Sequence, residues 1–133
     1  MIQWSGKNGL SIKGVELDDR LLLRAAWMTM LFTCTVSMMI HALSGNSRAI
    51  PFFISESDYP GLERIVFRCG LNAAGLMLCC LALRLPYALD LSQNARLSKM
   101  ARASGLITGI STILLSWFSM HTHLLIHCIL ASI

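Results

Sequence analysis

Residues 25–43 form a run of nineteen residues without a formal charge. This run constrains the fold more than any other feature of the chain. At ~1.5 Å per helical residue it nearly crosses a hydrocarbon layer of ~30 Å. Leu21, Leu22 and Leu23 extend it, and Arg24 has a stem long enough to reach headgroups. Trp27 lies near its start, where an interfacial aromatic belongs. Ser44-Gly45-Asn46-Ser47 then stops it. A second apolar stretch covers residues 65–89, with a fully uncharged centre at 69–83. Arg68 and Arg84 bracket that centre and are expected to snorkel outward, with Pro86 ending or kinking the helix. A third apolar stretch covers residues 104–120.

Composition agrees with lipid as the solvent. Of the 133 residues, 55% are hydrophobic and 14% charged, against about 25% charged in an ordinary soluble domain. The net charge is +4, but the basic residues flank apolar runs and build no basic face, which argues against nucleic acid as a partner. Cys34, Cys69, Cys79, Cys80 and Cys128 lie mostly inside the apolar runs. Without C-x-x-C spacing they read as soft packing residues. Cys79-Cys80 lies several residues from the basic flank that would favour palmitoylation.

The expected fold is therefore an all-α integral membrane protein with three transmembrane helices, at about residues 25–43, 65–89 and 104–120. Residues 124–133 are apolar again. They either continue the third helix past His121 and His123 or start a fourth helix, from about 127 to 133, that is left incomplete. Residues 1–24 read as a loose polar segment with a short amphipathic approach to the membrane. Lys and Arg set the orientation. Four lie in the N-terminal segment, four between Arg84 and Arg102, and three in or beside the first loop. The N-terminus and the loop at 90–103 are expected in the cytosol, and the loop at 44–64 in a lumen or outside.

Gly105 and Gly109 form a G-x-x-x-G pair, a spacing that lets two helix backbones approach closely. It suits a helix–helix partner or, with greater weight, packing within this chain. Gly70 and Ala74 offer a weaker version. His121, His123 and His127 form H-x-H-x-x-x-H, and His123 and His127 would share one face of a continuous helix. Without a further ligand nearby, interfacial histidines are the better reading, and no metal or cofactor is expected. His41 lies near the end of the first apolar run. Asn72 lies deeper and is expected to bond across helices. No Ser-His-Asp order, carboxylate pair or phosphate loop is present, so no catalytic residue is assigned and an enzyme is the less favoured class.

The most distinctive segment lies between the first two apolar runs. Pro51 and Pro60 restrict its backbone, and Phe52, Phe53 and Ile54 are expected to bury against helix ends. Ile54-Ser55-Glu56, then Pro60, Glu63, Phe67 and Asn72, resembles the luminal loop of the damage-regulated autophagy modulators and their relatives among GPI-lipid-remodelling factors and plasma-membrane lipid regulators. His127 fits the position at which members open their fourth helix. The resemblance runs from Ala25 to Ile133, the N-terminal half of that family's fold. It implies a multi-pass protein of endomembranes (lysosome, Golgi or endoplasmic reticulum) or of the plasma membrane. Such a protein would act without catalysis, through membrane lipids or a partner. Ser55, Glu56, Glu63, Asn72 and His127 are the contact residues this reading nominates. The alternatives are a subunit of a membrane-bound lipid-remodelling enzyme or transporter, and a truncated product without independent activity.

Overall fold

The computed structural model describes residues 2–5, 9–12, 15–45, 54–88 and 94–133. Asn46, Ser47, Arg48, Pro51, Phe52, Phe53 and the residues from Leu89 to Gln93 lie outside this set. Strands β1 (Ile2–Ser5), β2 (Gly9–Ile12) and β3 (Val15–Leu17) come first. They form an antiparallel meander, pairing Ile2 with Ile12 and Leu10 with Leu17. This corrects the expectation of a loose N-terminal segment. The alternation in Ile2-Gln3-Trp4-Ser5 and Val15-Glu16-Leu17 has period two, which suits strands.

Among the described residues the body consists of four helices. Helix α1 (Asp19–Leu43) starts six residues before the uncharged run. Asp18 caps it by accepting from the Arg20 N–H at 3.0 Å, and Leu21, Leu22, Leu23 and Arg24 are all good helix formers. Its end is where the sequence places it: the Ser44 N–H bonds to the Ile40 carbonyl, and Gly45 follows at φ 75°. Helix α2 (Leu62–Ala88) holds Pro86 in its last turn. Pro86 lacks an N–H, and the helix ends two residues later.

Helix α3 (Ala95–Trp117) starts nine residues earlier than the apolar pattern suggests. Most of the expected 90–103 loop is therefore helix. Asn94 caps it by accepting from the Leu97 N–H at 3.1 Å, and Arg96, Lys99 and Arg102 favour helix as much as an apolar residue would. Phe118 leaves helical geometry at φ −92°, ψ 89°, so α3 stops short of residue 120. Residues 118–123 turn the chain, and α4 (Leu124–Ala131) is a separate short helix that begins before His127.

Among the described residues two helices, α1 and the segment Leu62–Pro86 of α2, are long and apolar enough to cross a membrane. Helix α3 does not meet that measure. Its first turns carry three cations, and Ser and Thr interrupt the remainder.

The first three helices run up, down and up, with α2 in the middle. Gly70 faces Thr33 of α1, where an added Cβ would collide with the Thr33 side chain. On the other side of α2, a Cβ on Gly109 would lie 2.5 Å from Cys79 Sγ and 2.9 Å from the Gly75 carbonyl. A Cβ on Gly105 would lie 2.6 Å from that of Ala82. The G-x-x-x-G face of α3 is thus seated on α2 of the same chain. The side chains sort unusually. The buried residues of α1 are Leu22, Ala26, Thr33, Ser37 and His41, whereas Trp27, Met28, Leu31 and Phe32 are each more than 60% exposed. Polar groups point inward and large apolar groups outward, the reverse of a water-solvated helix.

Arg84 is buried and paired with Asp19. It does not snorkel outward as expected, because a carboxylate waits at the start of α1. This pair joins the first turn of α1 to the end of α2. Gly109→Leu should destabilise the chain by about 1–3 kcal/mol through overpacking against Cys79 and the Gly75 carbonyl. Ile110→Leu, at an exposed neighbour, should stay within about 0.5 kcal/mol. Thermal unfolding of the two variants in detergent checks the difference.

Candidate functional site

Polar side chains concentrate at one end of the bundle. The end of α1, the start of α2, the end of α3 and the 3-10 turn Ile54–Ser57 meet there. Ser37 on α1 donates to the Glu63 carbonyl at 3.0 Å. One turn on, His41 Nδ1 lies 3.5 Å from Glu63 Oε1, with both side chains buried. The ring of Tyr59 stands between His41 and His121, at centroid distances of 5.8 and 5.6 Å. His121 Nε2 reaches the Glu56 carbonyl at 3.3 Å.

Asp58 is the centre of this end and is fully buried. Its Oδ1 accepts from Arg64 Nε at 3.1 Å and lies 3.6 Å from Arg68 Nε. Its backbone carbonyl takes Arg64 Nη2 at 2.9 Å and the Ser119 hydroxyl at 3.4 Å. Arg64 and Arg68 are one helical turn apart, so one face of α2 offers both guanidiniums to a single carboxylate. Arg68 also covers the Trp117 ring, with Cζ 5.3 Å from its centroid, a cation–π contact. Arg68 is therefore paired and stacked.

The five nominated contact residues fall into two groups. Glu56 and Glu63 are buried, and Glu63 faces His41. Asn72 bonds across helices. Its amide donates to Ser116 Oγ at 3.2 Å and to the Arg68 carbonyl at 2.7 Å, and its oxygen accepts from Trp117 Nε1 at 3.3 Å. These three hold the bundle end together. Ser55 and His127 instead line a cleft. His123 is the residue before α4 and adopts non-helical angles, φ −135° and ψ 52°. It therefore does not share a helical face with His127, and its ring packs edge-on against Phe118.

The cleft measures about 850 Å³ and is bounded by all four helices and the 3-10 turn. Met30 and Cys34 of α1, Phe67 and Leu71 of α2, and Leu115 of α3 give it an apolar wall. Ser111 and His127, both more than 90% buried, are its most enclosed polar side chains. His127 Nδ1 lies 2.7 Å from the Phe118 carbonyl. A carbonyl can only accept, so the hydrogen sits on Nδ1 and Nε2 of the neutral ring is an acceptor. Ser55 donates its hydroxyl to Met120 Sδ at 3.1 Å, which joins the 3-10 turn to the segment leading into α4.

Asp58 and Ser111 carry no motif and escape a reading by pattern. The signal for Asp58 is the pair Arg64 and Arg68 on one face, six and ten residues after it. Nothing in the sequence separates Ser111 from the neighbouring Thr108 and Thr112, whose hydroxyls bond to their own helix. Asp58→Asn should cost about 2 kcal/mol, because two partly buried guanidiniums lose their counter-charge. Thermal unfolding in detergent reads this loss.

Compared with known proteins, the chain matches no family model, no curated protein and no solved structure.

Proposed function

We propose that this chain is a multi-pass membrane protein that acts without catalysis by holding a lipid in the cleft beside α4. The observation that carries this reading is the cleft itself: about 850 Å³, walled mainly by apolar side chains from helices whose outer faces are also apolar. In water such surfaces would drive association. In a bilayer they are solvated, and an apolar cleft open to acyl chains is filled by lipid.

Three features support the membrane part of the proposal. The two longest apolar helices have the length of a span. Their polar side chains turn inward and are bonded there, as a hydrocarbon solvent requires. The three arginines of α2 are neutralised by Asp58 and Asp19. Helix α3 crosses as a third span beside α2, and α4 lies at the loop end over the cleft. The distribution of Lys and Arg supports an N-terminus in the cytosol and the Asp58 end on the far side. The resemblance to autophagy modulators and lipid regulators, carried by Ile54-Ser55-Glu56 through Asn72, agrees with an endomembrane location and lipid contacts.

A second reading, a subunit of a lipid-remodelling enzyme or transporter, draws on His127, whose Nε2 is an acceptor in the cleft wall. The two readings part on turnover: a holder releases its lipid unchanged.

The full chain is expected to resist extraction from membranes by alkaline carbonate. Released from detergent into native mass spectrometry, it is expected to carry lipid-sized adducts. Thr112→Phe, which fills the cleft, should remove most of the adducts and leave the chain in the membrane. Release by carbonate overturns the membrane reading. Equal adducts on the filled variant overturn the cleft.

A further inference from the structure

The chemistry of the cleft wall restricts the lipid it accepts, an inference that rests on the lipid-holding reading above. We propose that the cleft selects a lipid with a free hydroxyl and no charged headgroup, whose O–H donates to Nε2 of His127.

The Phe118 carbonyl fixes the tautomer of His127, at 2.7 Å from Nδ1. That leaves Nε2 with a lone pair, and no group among the described residues bonds to it. An acceptor on so enclosed a side chain, in the wall of a cleft, is matched by a hydroxyl hydrogen. An ester or ether oxygen, itself an acceptor, leaves both groups unmatched. Ser111 makes the same demand more weakly. It is 6% exposed, lines the cleft and has no hydrogen-bond partner among the described residues. A hydroxyl there can take up a second oxygen of the ligand.

Charge narrows the class further. The described residues that line the cleft include no Lys, Arg, Asp or Glu. The guanidiniums of Arg64 and Arg68 are turned to Asp58. A phosphate or a quaternary ammonium would find no counter-charge in this wall and would lose its hydration on entering. A neutral headgroup carries no such cost. The volume, about 850 Å³, lies in the range of sites that enclose a whole small molecule. A monoacylglycerol and a sterol share the required chemistry, an apolar body with a free hydroxyl and no charge.

The test uses the full chain in detergent micelles and matched probes. Binding of 1-monoolein is compared with methyl oleate, and cholesterol with its methyl ether. Lysophosphatidic acid is the charged probe. At least one hydroxyl lipid is expected to bind tenfold or more tightly than its capped partner and than lysophosphatidic acid, and which one it is identifies the source. His127→Phe should bring that lipid down to the level of its capped partner and leave the capped partner unchanged. Ser111→Ala should weaken the same lipid by about threefold. Equal binding of capped and uncapped probes by the native chain overturns the proposal, whether or not His127→Phe folds. Discrimination that survives in a folded His127→Phe overturns it as well. If the native chain binds none of the probes, the lipid-holding reading falls with it. If it binds capped and uncapped probes alike and Thr112→Phe abolishes both, that reading stands and this one fails.

Discussion

Asp58 is fully buried between two guanidiniums, and the loop end of the bundle is organised around it. Its side chain fixes the 3-10 turn against α2. Its carbonyl takes the hydroxyl of Ser119, in the turn that leads to α4. Through that turn Asp58 also joins the start of α2 to the segment that leads to α4, His127 and the cleft. Charge-assisted bonds of this kind gain strength where water is excluded. A loop held in this way is an ordered wall of the cleft.

The second constraint is the exchange of inside and outside. Thr33, Ser37, His41, Ser111 and Ser116 are buried, while a belt of Leu, Ile, Met, Phe and Trp faces outward. The interior polar groups serve two ends. Small hydroxyls and glycines let the backbones approach closely, as Gly75 and Gly109 do across α2 and α3. They also satisfy one another, as in the chain of Trp117, Asn72 and Ser116. The same arrangement leaves the apolar cleft wall with few polar atoms, and those few are correspondingly selective.

Much of this was legible in the sequence, and the reasons differ from element to element. The cores of α1 and α2 were legible because a long uncharged run has few alternatives. The stop after Leu43 was legible because Ser44-Gly45 is strong punctuation. The start of α3 was not, since Arg96, Lys99 and Arg102 interrupt hydrophobicity without interrupting a helix. The N-terminal meander is hidden because glycines in a polar segment read as loose chain, although Ile2-Gln3-Trp4-Ser5 alternates. At the site, Asn72 was legible as a bond between helices from its depth in an apolar run. Local pattern points Arg84 outward, whereas its partner, Asp19, lies 65 positions earlier. Pairings at that separation are set by which helix ends meet, and local pattern does not report them.

Helices α1 and α2 are fastened at both ends, by His41 and Glu63 at one and by Asp19 and Arg84 at the other. An antiparallel couple closed in this way presents matched poles and a greasy waist. On its free side Gly75 and Ala82 form the seat that Gly109 and Gly105 of α3 cover, so the third helix is received by a pair whose two ends are already tied.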